Sequence, residues 1–445
     1  MKISGFILSV VFVLVLVVSW HSFIGNVSNV GAIASTYIAR AEENVSNRLY
    51  QQAIGYYHQA IVASPRQARE IYIEMKAVYE MLLADTYDAS SVIRPFITDM
   101  RAAARAFPHE PIFSIAIVEL NMQDLRWQNA YNAARDARRS GLRDDRMDEL
   151  YFELLHMVRL ESRRFLDYNT TLNGYFTVFR ANNWRIIDCQ GREVSEAHPY
   201  IGLVNDDRLA LFATKSENIL VDRTGTLRGR FDNHHVLEAG LHSSETGLIP
   251  IRTECGWIYV DNLGTALSGV FEEAGSFQGN RAAARRGNTW GFIDVAGHFE
   301  ELAGITNIKL DLHGHYNHGG VIIAGSGGRY HLYNGDFNRI EGFYADGIDI
   351  AIRDGFIAFQ RGGRWGFVDI NGNIVQEPAF YNARSFSSGF AAVANSEGLW
   401  GFVNSDFRLV IDYQYLYAHY FTSTGVCIVS TEEGTYQLIR FMFYR

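Results

Sequence analysis

The densest set of chemistry-bearing side chains in this 445-residue chain is His313-x-His315-x2-His318, with His331 close behind. Imidazoles at such spacing can ligate Zn²⁺ or Cu²⁺. Only one carboxylate, Asp311, lies near them, and Gly314, Gly319 and Gly320 mark a loop. No metal is therefore expected, and His313, His315 and His318 stand as secondary candidates. Asn233-His234-His235 is a poorer set. Ala324-Gly325-Ser326-Gly327-Gly328 follows Val321-Ile322-Ile323 as a phosphate loop would, but the Gly-Lys-Ser/Thr ending is absent. Asp188, Asp222, Asp261, Asp294 and Asp369 recur along the chain. Hydrolytic acid pairs need two carboxylates in different environments at a fixed separation, and these five recur in one context instead. Calcium-loop spacing occurs only in fragments such as Asp369-Ile370-Asn371-Gly372, without the closing Glu. Neither G-x-S-x-G nor H-E-x-x-H occurs. Cys189, Cys255 and Cys427 are few, odd in number and far apart, so no disulfide framework or zinc site is indicated. Cys255 and Cys427 read as small core residues of strands. No catalytic residue and no cofactor is expected.

The elements that carry these residues repeat. Trp257-Ile258-Tyr259-Val260-Asp261-x2-Gly264, Trp290-Gly291-Phe292-Ile293-Asp294-x2-Gly297, Trp365-Gly366-Phe367-Val368-Asp369-x2-Gly372 and Trp400-Gly401-Phe402-Val403-Asn404 are nearly superposable, and Trp184-Arg185-Ile186-Ile187-Asp188-x2-Gly191 is an earlier copy. Copies without Trp begin at Asn218, Tyr330 and Tyr436. The Trp-equivalent positions are spaced by 34, 39, 33, 40, 35, 35 and 36 residues, a mean of 36. Each unit reads as a three-stranded meander. A strand such as Gly389-Phe390-Ala391-Ala392-Val393 comes first, then a turn at Asn395-Ser396-Glu397-Gly398, the Trp-Gly strand, an Asp-x-x-Gly hairpin and a last strand. In that frame Ala324–Gly328 is a hairpin turn, and Gly after Trp lets a neighbouring backbone or ring come close. The repeated Trp residues are expected in the core.

The Trp-Gly pair, with Phe277-x-Gly279 or Phe386-x2-Gly389 before it and Pro378-Ala379-Phe380-Tyr381 after it, resembles the WG-repeat family. That resemblance implies an all-β binding or scaffolding domain without enzymatic chemistry. Eight units suit a closed β-propeller, the alternative being an open β-solenoid.

Residues 35–165 read as helices. Apolar residues recur at three and four in Ile71, Met75, Val78, Met81, Leu82 and in Leu150, Tyr151, Leu154, Leu155, Val158, and Pro65, Pro95, Pro108 and Pro111 fall between stretches. Ala53-x3-Tyr57-x2-Ala60-x4-Pro65 resembles the second helix of a tetratricopeptide repeat, and Ala130-x3-Ala134-x2-Ala137 is a poorer copy.

From Ile3 to Ile24 there is no charged residue. About 20 apolar residues span the ~30 Å hydrocarbon layer. Lys2 precedes this run and the next basic residue is Arg40, which places the N-terminus in the cytoplasm and the rest outside. A signal peptide cleaved near Ala32-Ile33-Ala34, giving a secreted product, and a cytoplasmic protein with a buried helix are the alternatives. Of 40 Gly, five lie in residues 1–160, so one chain is written in two compositional styles. The expected organisation is an anchor and juxtamembrane segment (1–34), a tetratricopeptide-like helical domain (35–165) and a β-repeat domain of about eight units (172–445). Net charge is −9, of which −8 falls after residue 160, without basic clusters, so nucleic-acid binding is not expected. The reading is a membrane-anchored, non-enzymatic scaffold for a protein or peptide at the cell envelope. One rival is a carbohydrate or small-ligand receptor using Trp and Tyr of the β repeats. The other is an envelope hydrolase built on repeat-loop carboxylates, whose best site is the irregular stretch Ile305–Gly328.

Overall fold

The computed structural model describes residues 31–443 except 206–208, 214–216, 223–225, 232–234, 268 and 351–353. The apolar run Ile3–Ile24 and the pair Asn233-His234 lie outside the described residues. Among the described residues no helix is long and apolar enough to cross a membrane. The chain divides into two compact units at Leu155/His156.

The first unit is an array of helices, each packed on the next. Residues 31–46 form α1. Then follow α2 (Tyr50–Ala63), α3 (Ala68–Asp85), α4 (Ala89–Ala106), α5 (Pro111–Gln123), α6 (Trp127–Arg139) and α7 (Asp145–Leu155). Ala53, Tyr57 and Ala60 all face inward on α2, and Ala130 and Ala134 on α6. Small side chains there let neighbouring helices approach, while Tyr79 of α3 stacks on Phe96 of α4 at 4.5 Å between ring centroids. Pro95 departs from expectation. It lies inside α4, where buried Val92, Ile93, Phe96 and Ile97 surround it. Burial of about 1.5–3 kcal/mol per large apolar side chain outweighs one lost helical hydrogen bond. The three-four periodicity also overruns: α7 stops at Leu155, and Val158 begins a strand.

The second unit is an eight-bladed β-propeller. The Trp-equivalent residues 184, 218, 257, 290, 330, 365, 400 and 436 each open or enter the third strand of one blade. The blades are numbered 1 to 8 in that order. The residue two positions on is buried in every blade: Ile186, Leu220, Tyr259, Phe292, Leu332, Phe367, Phe402 and Leu438. Alternate side chains of a third strand serve opposite neighbours. Phe402 of blade 7 packs with Phe421 and Cys427 of blade 8, whereas Val403 packs with Ala358 and Phe367 of blade 6. Both faces are therefore buried, which explains strands that are apolar almost throughout.

Two features differ from the sequence reading. Most blades have a further, two-residue first strand, such as Glu273–Ala274 in blade 4 and Asn382–Ala383 in blade 7, so the meander is four-stranded. Two residues are too short to show a period of two, which is why the pattern hides them. The ring also starts before residue 172. Val158–Phe165 pairs antiparallel with Thr435–Phe441, with Val158 opposite Phe441 and Phe165 opposite Tyr436. The N-terminal strand thus supplies the fourth strand of blade 8. This pairing closes the ring and excludes the open solenoid.

The Gly after Trp is a close-approach residue. A Cβ on Gly291, Gly366 or Gly401 would lie 2.3, 2.4 or 2.6 Å from a carbonyl oxygen of the fourth strand. The cysteines are free, and Cys427 is buried in its strand as expected. Cys255 is not a core residue: it sits exposed in the two-residue turn between Ile249–Thr253 and Gly256–Val260.

Candidate functional site

The loops that follow the short first strands meet at one end of the ring and are tied blade to blade. Thr171 Oγ1 of blade 1 donates to the Val204 carbonyl of blade 2 at 2.8 Å, and Asn205 Nδ2 donates to the His242 carbonyl of blade 3 at 3.1 Å. The Leu241 N–H donates to Ser276 Oγ of blade 4 at 2.8 Å, and Gln278 Nε2 donates to the Asn317 carbonyl of blade 5 at 2.8 Å. Further round, the Gly389 N–H of blade 7 donates to Asp354 Oδ2 of blade 6 at 2.6 Å, and Ser387 Oγ donates to the Phe421 carbonyl of blade 8 at 2.7 Å. Short polar side chains on buried backbone make such a belt, since each otherwise orphaned carbonyl or amide finds a partner.

Blade 5 departs from this pattern. Its loop covers residues 309–316, before a small strand at Asn317–His318, whereas blade 7 has only 384–389 between its first two strands. The insertion is the source of the 40-residue spacing between Trp290 and Tyr330. His313 at its tip reaches Thr171, with Nε2 2.7 Å from the Thr171 carbonyl. Blades 1 and 5 stand opposite each other in a ring of eight, so this contact carries the loop across the central channel. It leaves a cavity of about 580 Å³ walled by Thr171, Gln278, His313, Asp354, Ser387 and Ser423, among others.

Asp311 organises the loop. Its Oδ1 accepts the N–H groups of His313 and His315, each at 2.8 Å. Its Oδ2 lies 4.0 Å from His315 Nδ1 and 3.6 Å from His318 Nδ1. Burial works against the charge of this carboxyl, but the contact with His318 and the histidine charges outweigh it and hold it below the usual carboxylate range. Donor atoms of Asp311, His313 and His315 all lie within 4.8 Å of one another. The structure thus gathers His313, His315 and His318 around a carboxylate. His331 stays apart, buried in the third strand of blade 5 with Nδ1 3.3 Å from the Phe343 carbonyl. His235 is exposed, 3.8 Å from Glu254.

The family model described as "WG containing repeat" matches residues 365–397 and 400–436. Residues 365–397 and 400–436 are thus similar to WG repeats. No curated protein matches the chain. Among solved structures, the AfRom2 CNH domain is 12% identical over 55% of this chain and 94% of that one, with a TM-score of 0.33. BBS1N in complex with ARL6DN is 11% identical over 60% of this chain and 86% of that one, TM-score 0.32. A protein of unknown function from Bacteroides caccae is 12% identical over 48% and 82%, TM-score 0.26. At these values the likenesses assign no function.

Throughout the propeller the recurring Trp and Asp residues have structural work. Trp290 and Trp400 are buried, and Trp184, Trp257 and Trp365 are half-buried against neighbouring rings and strands. The Asp-x-x-Gly carboxylates cap their own hairpins. Oδ1 of Asp369 accepts the Asn371 and Asn373 N–H groups at 2.9 and 2.8 Å, and Asp188, Asp261 and Asp294 hold the same two positions. Asp222 accepts from the Thr226 N–H at 3.1 Å. Asn334, Asn395 and Asn404 make the same pair of bonds without charge. Ala324–Gly328 belongs to a β-hairpin, with Gly327 and Gly328 in its turn at positive φ.

These turns yield a prediction. Asp369→Asn should change stability by less than about 0.5 kcal/mol, and Asp369→Ala should cost about 1–2 kcal/mol in urea unfolding. Burial acts against the Asp369 charge, but bonds from Asn373 and Asn371 lower its pKa. A lowered folded pKa gives stability that is present above the unfolded value and lost as pH falls through the folded one. The gap between wild type and Asp369→Ala should therefore narrow below about pH 4.

One buried group escaped the sequence reading. Arg384 lies under Trp400, Tyr417 and Tyr420, 4.9–5.5 Å from their ring centroids, and its Nε donates to the Ala418 carbonyl at 2.7 Å. The signal was present: blade 7 reads Ala383-Arg384-Ser385-Phe386 where blade 4 reads Ala274-Gly275-Ser276-Phe277.

Proposed function

We propose that this protein is a non-enzymatic binding module whose propeller offers the converged loop face to a protein or peptide partner. The observation that carries the reading is the cavity built by loops of six blades, whose walls mix hydroxyl, amide, histidine and carboxylate side chains with the apolar Leu172, Leu312 and Ile370. Such walls supply hydrogen bonds and apolar contacts at many points. The repeat Asp residues of five blades are each held in their own hairpin rather than paired across a cleft. Burial of Trp290 and Trp400 removes two of the stacking platforms that a glycan receptor of the rival kind would use.

The apolar run Ile3–Ile24 supports a membrane anchor, with the helical array and the propeller outside the cytoplasm and the tetratricopeptide resemblance suggesting a second contact surface. Fractionation and protease treatment of whole cells test this placement. A C-terminal unit protected until the membrane is broken would contradict it.

Ser423 is exposed and lines the cavity. Ser423→Arg places a long cation there. Affinity capture from envelope extract with the full chain and with Ser423→Arg, read by quantitative mass spectrometry, should show a protein retained by the wild type and reduced about tenfold in the variant. That loss corresponds to about 1.4 kcal/mol. A retained set identical for both would sink the assignment to this face.

A further inference from the structure

We infer that the blade 5 loop binds one divalent transition-metal ion of the zinc class, held by Asp311, His313 and His315, whose donor atoms lie within 4.8 Å of one another, with His318 Nδ1 beside the same Asp311 oxygen. The argument begins with His318. Its side chain is 2% exposed, and its Nδ1 has no hydrogen-bond partner. Its Nε2 lies 3.3 Å from the Lys309 carbonyl, which can only accept, so Nε2 carries the proton in the neutral ring. Nδ1 then presents a lone pair to Asp311 Oδ2 at 3.6 Å. A proton on Nδ1 satisfies this pair alone, whereas a metal ion satisfies it and also engages the donor atoms of His313 and His315, which lie within 4.8 Å of Asp311.

His313 is arranged the same way. Its Nε2 lies 2.7 Å from the Thr171 carbonyl, which fixes the proton on that nitrogen and leaves Nδ1 as the donor atom for a metal. A backbone carbonyl holding the far nitrogen is the usual support of a metal-ligating histidine. Asp311 is oriented as well, because Oδ1 is engaged by the His313 and His315 N–H groups and Oδ2 is turned toward the imidazoles. Two ligands, each about 2.1 Å from zinc and at a tetrahedral angle, lie about 3.4 Å apart. The 3.6 and 4.0 Å separations of His318 and His315 from Asp311 Oδ2 are close to that value. Imidazole nitrogens with one carboxylate oxygen suit zinc or cobalt, and not calcium or magnesium, which take oxygen ligands. The ion would lock the loop that crosses from blade 5 to blade 1.

The test uses the full chain in detergent, stripped with chelator, then exposed to Zn²⁺ or Co²⁺ and desalted. One zinc per chain by elemental analysis is expected, with Co²⁺ giving the intense visible bands of a four-coordinate site. Asp311→Asn retains the turn, since Asn334, Asn395 and Asn404 hold equivalent turns, yet removes the charge. Asp311→Asn and His318→Ala should each weaken Zn²⁺ binding by ~100-fold or more, at or beyond the loss seen for supporting residues. Wild type that retains no zinc, Co²⁺ bands of six-coordinate intensity, or variants that bind Zn²⁺ as tightly as wild type would each overturn the site. If a variant fails to fold, the wild-type stoichiometry and Co²⁺ spectrum decide alone.

Discussion

A chain beginning at residue 172 should fail to form a stable propeller, whereas one beginning at His156 should fold. The shorter chain lacks Val158–Phe165, the outer strand of blade 8. It also loses Phe165, 2% exposed and packed with Phe176, Ile187, Val426 and Leu438. Burial of Phe165 contributes about 1.5–3 kcal/mol, the half-buried Val158 adds roughly half as much, and the strand's backbone bonds add to this. A loss of about 5 kcal/mol or more is comparable to the whole stability of many domains. The exposed edge of Thr435–Phe441 would in addition invite pairing between chains. The expected result is a melting midpoint at least ~10 °C lower, with aggregates in gel filtration, against a cooperative monomer for 156–445. Equal midpoints would show that the closing strand is dispensable.

The second large effect is expected at the Gly of the Trp-Gly pair. In Gly366→Ala the new Cβ would stand 2.4 Å from the Gln376 carbonyl oxygen, 2.8 Å from the Pro378 nitrogen and 2.9 Å from the Glu377 carbonyl carbon. All three are backbone atoms of the fourth strand, which shifts register between Trp365 and Phe367. No side-chain rotation relieves the clash, so a cost of about 2–4 kcal/mol is expected, at the upper end for overpacking. Gly55 on α2 is the counterpart: a Cβ there meets nothing within 4 Å. Gly55→Ala should stabilise the helical unit by about 0.5–1 kcal/mol. Urea unfolding can separate the two, since five of the seven Trp residues lie in the propeller and report it by fluorescence, while helical circular dichroism reports the first unit. A tolerated Gly366→Ala would mean that the fourth strand can move outward at small cost.

Much of the propeller was legible because each blade repeats the same local problem. The third strand must be apolar on both faces, its hairpin needs a side-chain acceptor and a positive φ, and the fourth strand needs room beside Trp. Those demands wrote Trp365-Gly366-Phe367-Val368-Asp369-x2-Gly372 and its copies. Two-residue first strands, Pro95 within α4 and Cys255 in a turn were not legible. The first strands are too short to show a period, and the placing of Pro95 and Cys255 follows from packing and pairing that residue type alone does not show. The candidate site was half legible. His313, His315 and His318 stood out by type and spacing, and the 40-residue gap between Trp290 and Tyr330 marked the insertion. Nothing in the spacing places Thr171 against His313, or says that His318 is buried beside Asp311.

By itself the sequence determined the number of units, the residues at their hairpins and the division into a helical and a β part, because periodicity and turn chemistry are local. Tertiary structure decided that the units close into a ring, that residues 158–165 belong to it, and that the blade 5 loop crosses the channel. Those outcomes depend on contacts between residues more than a hundred positions apart. Edge pairing and burial decide such contacts only when the whole ring is assembled.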